Sequence, residues 1–206
     1  MNLFFDRLGV MKKLLGIIIL GLFLITSSQA DDIRDFQIEG MSVYDNLLSY
    51  DKKIGVTKEN IKSKKLFFYP KSKKYAGISF KDRGNFEVFE AVQFGIDPNN
   101  FKIHSVDGKI RKPFKNNMKD CYIKMDEIFY DVRKLFPKAK VKKFEPYKHQ
   151  YDKRAIVKSY YLYNEDGSAT HIRCTDWPDD LKILDGLVLS VRSKEWSFFI
   201  KNEAYK

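Results

Sequence analysis

The sequence predicts an α+β fold, with helices packed on an antiparallel sheet. Three observations carry that class. Runs such as Tyr75–Lys81 and Phe101–Val106 alternate apolar and polar residues, and the second ends at an Asp-Gly pair. One long segment, Met118–Phe136, repeats its apolar residues at helical period. Helical and strand-rich stretches also alternate in blocks, twice along the chain, and not strand by strand. This gives two candidate tandem α-βββ units, residues 31–115 and 116–206, with a single irregular α+β domain as the rival.

The first unit opens with an extended segment, 31–40, ending at Gly40. Ser42 is placed to cap a short helix over Val43–Tyr50, and Thr57 a second over Lys58–Lys64 with Ile61 inward. Tyr75–Lys81 alternates with Ala76, Ile78 and Phe80 on one face. Phe86–Phe94 is rich in strand formers but breaks alternation near Phe89-Glu90, which suggests a bulge. Phe101–Val106 ends at Asp107-Gly108, a hairpin signal, so Lys109–Phe114 is expected to return as a strand.

The second unit begins with the clearest helix. Cys121, Met125, Ile128, Phe129, Val132, Leu135 and Phe136 form one apolar stripe, and Pro137 ends it. Strands are expected over Ala155–Tyr163, Ser168–Asp176 and Leu187–Arg192, with Asp166-Gly167 as the turn between the first two. Ser193 is placed to cap a last helix, Lys194–Ala204, carrying Trp196, Phe199 and Ile200. The overall pattern is similar to secretory α-βββ modules such as the small outer-membrane assembly lipoproteins. It is also similar to tandem modules such as the secreted β-lactamase inhibitor proteins. That likeness is architectural and brings no function with it.

Composition narrows the class of protein. Of 206 residues, 44% are hydrophobic and 15% aromatic, too many for a disordered chain. Six prolines and eleven glycines exclude a collagenous or low-complexity chain. Residues 1–30 read as a signal peptide. Lys12 and Lys13 precede an uncharged run, Leu14–Ile25, and Ser28-Gln29-Ala30 supplies small residues at a cleavage position. That run spans roughly 18 Å as a helix, short of a hydrocarbon core of about 30 Å. An uncleaved anchor is the alternative. Met11 is the more natural start of this signal, and residues 1–10 form either a long leader or a misassigned start. Cleavage near Ala30 leaves a chain with no transmembrane segment, expected to be soluble and periplasmic or secreted.

Cys121 and Cys174 are the two cysteines. An even count in an oxidising compartment favours a disulfide. Cys121 lies on the buried helix stripe, and Cys174 shares a strand face with Ile172, so both sides point to the core. Two buried free thiols are the alternative.

The segment Asp35-Phe-Gln-Ile-Glu-Gly-Met-Ser-Val-Tyr-Asp-Asn-Leu-Leu-Ser-Tyr50 resembles the mature N-terminus of small exported proteins in marine alphaproteobacteria of the Pelagibacter type. There the recurring form is close to DFQIEG, an aliphatic residue, Ser, two variable residues, Asp, a small residue and Leu-Leu. The resemblance implies export and the cysteine pair, and no activity.

Catalytic signatures are sparse. His104, His149 and His171 have no partner at metal-ligand spacing, and no HExxH or CxxC occurs, so no metal or cofactor is expected. Cys174 and His171 are three apart on a strand and point to opposite faces. There is no G-x-S-x-G and no phosphate-binding glycine loop. Glu87 with Glu90, and Asp179 with Asp180, are formal carboxylate pairs, read more simply as solvated positions.

The net charge of +11 loses two units with residues 1–30, and the remaining +9 divides as +5 and +4 between the two candidate units. Basic residues cluster at Lys62, Lys64 and Lys65, at Lys71, Lys73 and Lys74, at Lys109–Lys112, and at Lys138, Lys140, Lys142 and Lys143. Such clusters offer a polyanion surface for anionic lipid, an acidic glycan or an acidic envelope protein, with nucleic acid disfavoured by export. Thirty lysines against eight arginines fit lysine spread for solubility equally well. The reading is therefore a non-catalytic periplasmic binding or envelope-associated module. The alternative is a periplasmic, hydrolase-like enzyme whose site joins sequence-distant residues. A closed pocket gathering His104, His171 and carboxylates would favour the enzyme, and a broad sheet face the binder.

Overall fold

The computed structural model describes residues 32–63, 66–82, 85–149, 152–181, 183 and 185–206; the side chains of Asn60, Lys62 and Ser63 are not among what it describes. The signal segment 1–30 and, of the first lysine cluster, Lys64 and Lys65 lie outside the described residues, as does the side chain of Lys62.

Among the described residues, eight strands form one antiparallel sheet: β1 Phe67–Tyr69, β2 Ser72–Lys81, β3 Ala91–Ile96, β4 Ile103–Ile110, β5 Lys140–Lys148, β6 Ile156–Tyr163, β7 Ala169–Asp176 and β8 Gly186–Arg192. Their order is β1-β2-β3-β4-β8-β7-β6-β5. Two four-stranded meanders therefore meet where β4 pairs with β8, leaving β1 and β5 as edges. Relative to the sequence pattern, the first meander gains β1 and lacks a separate return strand over Lys109–Phe114, and the second gains β5.

Among the described residues, four α-helices accompany the sheet: α1 Asp51–Ile54, α2 Lys58–Ser63, α3 Met118–Leu135 and α4 Lys194–Asn202. The α3 stripe falls where its periodicity places it, with Cys121, Met125, Ile128 and Val132 buried against β6, β7 and β8. Burial of each aliphatic side chain there contributes about 1.5–3 kcal/mol. The N-terminal segment covers the same sheet face over the first meander, burying Ile33, Ile38, Met41, Val43 and Leu47. Phe36 packs edge-on against Phe136 and joins this segment to the end of α3. Cys121 and Cys174 form the disulfide, with Cα atoms 6.1 Å apart.

The DFQIEG segment is a structural anchor here. Ile38 and Met41 exchange backbone hydrogen bonds around a turn in which Gly40 takes φ +70°. The Glu39 carboxylate, 2% exposed, accepts the backbone N–H groups of Glu87, Val88 and Phe89.

Local differences from the sequence reading have identifiable causes. Ser42 caps nothing: its hydroxyl donates to the Arg34 carbonyl. Asn46 instead caps a 3-10 turn, Leu47–Tyr50, that runs into α1 and stops at Gly55, φ +63°. Residues 86–90 form a loop held by Glu39, so β3 begins at Ala91. Asp107-Gly108 is not a turn. β4 runs straight through it, and no return strand exists; Lys112–Phe114 is a 3-10 turn. Gly108 is needed for close approach, because a Cβ there would lie 2.6 Å from the Phe89 ring. Asp166-Gly167 is a turn as expected, with Gly167 at φ +88°. β5 was not anticipated. Its lysines and Pro146 suit an edge strand, where unpaired backbone must be kept from pairing with other chains.

Candidate functional site on the open sheet face

Alternation divides the sheet residues between two faces. One is buried under α3 and the N-terminal segment. The other carries α4 at one end, where Trp196 lies on Gly95, and Tyr69, Tyr75 and Phe199 pack around it. Gly95 is required there, since any Cβ would meet the indole at 2.2 Å.

Beyond α4 this second face is polar. Registered pairing places Ser79, Gln93, Asp107, Ser190, His171, Tyr161 and Lys142 in one row across seven strands. The row on one side includes Ser105, Arg192, Tyr163 and Lys140. The row on the other includes Lys81, Lys109, Arg173 and Phe144. Six cations thus share three rows with one carboxylate, Asp107. Ser105 and Ser190 form a floor only 1% exposed, while Lys109, Asp107, Arg173 and Arg192 remain partly exposed above it.

His171 is the centre of this face. Its ring stacks on Tyr161 at 3.9 Å, and Tyr161 stacks in turn beside Tyr163. Arg192 Nη2 lies 3.0 Å from His171 Nδ1. A guanidinium only donates, so Nδ1 is the acceptor and the proton sits on Nε2. Burial, then the charges of Arg192 and Arg173, hold the His171 pKa well below the ordinary histidine value. His171 Nε2, Arg173 Nε and Arg192 Nε are buried and make no hydrogen bond among the described residues. Burial also lowers the Lys109 pKa, with Asp107 opposing. Lys109 Nζ donates to Gln93 Oε1 at 2.6 Å.

His104 belongs to a different neighbourhood. A register shift between β3 and β4 leaves it beside Tyr75, Tyr44 and Ser193. Glu195 Oε2 lies 3.9 Å from His104 Nδ1 and accepts from the Tyr44 hydroxyl at 3.0 Å. Burial chiefly, and Glu195 next, raise the Tyr44 pKa to about 12. Ser193, His104 and Glu195 bring together the residue types of a hydrolytic triad. Ser193, however, is fully buried, and its Oγ accepts the Trp196 N–H as the cap of α4. A substrate carbonyl cannot reach it. His149, the third histidine, tilts against Trp177.

The remaining candidates are scattered. Cys174 and His171 do face opposite ways: one joins α3, the other stacks on Tyr161. Asp180 pairs with Arg154, and Glu90 accepts from the Lys112 amide. Asp176, Asp179 and Asp185 line a surface cleft with Trp177 and Arg154. Asp185 there ties loops together by accepting the Trp177 and Asn116 amides. Burial chiefly, then Asp185 and Asp179, raise the Asp176 pKa. Among the described residues, no group of three or more His, Cys, Asp or Glu is placed to hold a metal ion.

The sheet keeps the lysine clusters apart. Lys71, Lys73 and Lys74 lie by the β1 edge, and Lys138, Lys140, Lys142 and Lys143 by the β5 edge, about 34 Å away across seven strand spacings. They do not form one surface. Lys74 pairs with Glu203 at 3.2 Å, Lys142 lies over Phe144, and Lys143 lies over Phe129 and Tyr160 on the helix side. Only Lys140 and Lys142 of the second cluster extend the open face. The residues that sequence reasoning missed are Arg173, Arg192, Asp107 and Tyr161, whereas Lys109 was named only within the Lys109–Lys112 cluster. Their signal was strand parity, since His171 and Arg173 alternate with Ile172 and Cys174.

No helix among the described residues is long and apolar enough to cross a membrane. No family model matches this chain, and neither does any curated protein or solved structure.

Proposed function

We propose that this protein is an exported, non-catalytic binding module that docks an envelope partner on the open face of its sheet. The observation that carries the reading is the charge of that face: Lys81, Lys109, Arg173, Arg192, Lys140 and Lys142 share three adjacent rows with Asp107 alone. A one-signed field over a recessed polar floor steers and selects a partner of opposite charge. The buried position of Ser193 supports binding over hydrolysis. Export is supported by the charged, apolar and small-residue pattern of residues 1–30, by the likeness of the DFQIEG segment to exported proteins, and by the Cys121–Cys174 bridge. The two meanders, each preceded by helix, support a tandem reading of two α-β units sharing one sheet.

The test is differential capture from an envelope fraction with the full chain. One variant carries Lys109→Glu and Arg173→Glu on the open face, and a second carries Lys71→Glu and Lys73→Glu at the β1 edge. A species held by the wild type and the edge variant, and lost by the face variant, supports the proposal. Identical capture by all three overturns it.

A further inference from the structure

We infer that the open face recognises a carboxylate, presented by an acidic segment of a partner protein and held by the guanidinium groups of the partly exposed Arg173 and Arg192. The inference rests on the open face being the docking surface.

The donor inventory comes first. The three unpaired buried atoms on this face are His171 Nε2, Arg173 Nε and Arg192 Nε. Each carries a hydrogen and none has a lone pair to offer: the histidine by the tautomer that Arg192 imposes, the arginines by their chemistry. They are neighbours on one face. His171 and Arg173 are two apart on β7, and Arg192 pairs with Ala169 beside them on β8. These three atoms are closed to solvent, and leaving them unpaired costs stability. Arg173 and Arg192 as residues remain partly exposed, and a guanidinium only donates. A complementary group must therefore be acceptor-only, and the local excess of cations over Asp107 makes it anionic. Arginine forks match the planar, two-oxygen geometry of a carboxylate.

The shape of the face selects the carrier. The two guanidinium-bearing side chains are partly exposed and lie over the buried Ser105 and Ser190 floor. A bilayer presents its phosphates as a plane, which meets protruding groups first. An Asp or Glu side chain projects on a stem and reaches a guanidinium over that floor. The basic residues extend along the rows toward Lys140 and Lys142 at one edge and Lys81 near the other. A chain bearing several carboxylates across the strands matches that distribution.

The test measures anisotropy of a fluorescein-labelled, glutamate-rich peptide with the full chain, at fixed salt, against its glutamine analogue. Vesicles of phosphatidylglycerol with phosphatidylethanolamine and a sulfated oligosaccharide serve as competing probes. Arg173→Lys keeps the charge and removes the fork. It is expected to weaken the peptide by about tenfold, as loss of a charge-assisted hydrogen-bonded pair does. The edge variant Lys71→Gln/Lys73→Gln/Lys74→Gln is expected to change affinity less than about threefold. Arg173→Gln should unfold in urea at or above the wild-type midpoint, so its loss of binding is not loss of fold. Wild-type affinity in Arg173→Lys overturns the inference, as does equal binding of the glutamine analogue. Arg173-dependent binding to vesicles or oligosaccharide in preference to peptide overturns the carboxylate while leaving the docking face intact. If differential capture shows no dependence on the face, the docking reading itself fails.

Discussion

Replacing Glu39 by Ala tests how the loop before β3 is held. The carboxylate accepts three backbone amides: Glu87 at 2.9 Å on Oε2, and Val88 and Phe89 at 2.8 and 3.0 Å on Oε1. It is 2% exposed, so water does not replace it when it is gone. The Val88 and Phe89 amides are partly buried and would be left unpaired, at about 1–3 kcal/mol each. The exposed Glu87 amide recovers a water. The expected loss is therefore about 2–6 kcal/mol, a large share of the ~5–15 kcal/mol that holds a typical domain. Glu39→Gln keeps one oxygen for Val88 and Phe89 and should cost only about 1 kcal/mol. Lys53→Ala removes a partner 3.8 Å away that is 31% exposed, and should cost under about 1 kcal/mol. Urea unfolding followed by tryptophan fluorescence measures all three. Exchange protection at residues 87–89 should fall in Glu39→Ala before global unfolding. A loss below 1 kcal/mol in Glu39→Ala, or equal losses for Gln and Ala, would refute the account of the loop as held by acceptor oxygens.

Two further outcomes follow from the same structure. Converting Cys121 and Cys174 to Ser opens a link of sequence separation 53 and should cost about 4 kcal/mol by chain entropy; an unchanged urea midpoint would refute this. His171 is held neutral in the folded state by burial and by Arg192 and Arg173, while the unfolded histidine titrates near 6.5. Below about pH 6.5 the unfolded chain binds the extra proton, so stability is full above that value and falls as pH drops, by up to about 1.4 kcal/mol per unit for this group. Burial lowers His104 and His149 in the same direction. Urea midpoints between pH 7.5 and 5 should show a shallower decline in His171→Gln than in the wild type. Parallel declines would refute a neutral His171.

What the sequence made legible follows how far each signal reaches along the chain. The α3 stripe and the alternation of Ile172 with Cys174 are local patterns fixed by backbone period, and together they give the disulfide. The cap at Ser193 and the turn at Asp166-Gly167 are also local. Asp107-Gly108 failed because the same dipeptide serves two needs. A turn needs positive φ, whereas here the glycine is extended and makes room for Phe89, a residue brought in by Glu39 from nearly fifty positions away. That misreading hid the site. With a turn at 107–108, Asp107 and Lys109 lie on different strands, whereas a continuous β4 places both on the face of His171. β5 was hidden for another reason. An edge strand exposed on both sides carries no alternating apolar signal, so its lysines read as a patch.

The strand β7 explains why a structural staple and the donor set occur on the same eight residues. A slip of one residue in a strand exchanges its two faces. In β7 it would turn Ile172 and Cys174 outward and bury Arg173 under α3. The hydrophobic side chains alone resist that slip weakly, because β7 also carries Thr170, Thr175 and His171 buried on one face or the other. Cys174 removes the ambiguity by fixing one side chain of β7 to α3. His171 and Arg173 must then point to the open face, where Arg192 arrives from β8 by cross-strand pairing. The bridge thereby stabilises an arrangement in which cations stand among buried polar atoms without enough acid to balance them. An aliphatic residue at 173 would remove the unpaired donor, and Val188 opposite it shows that such a side chain fits in that row. Holding the guanidinium in place with its Nε buried and unpaired costs stability in the free protein.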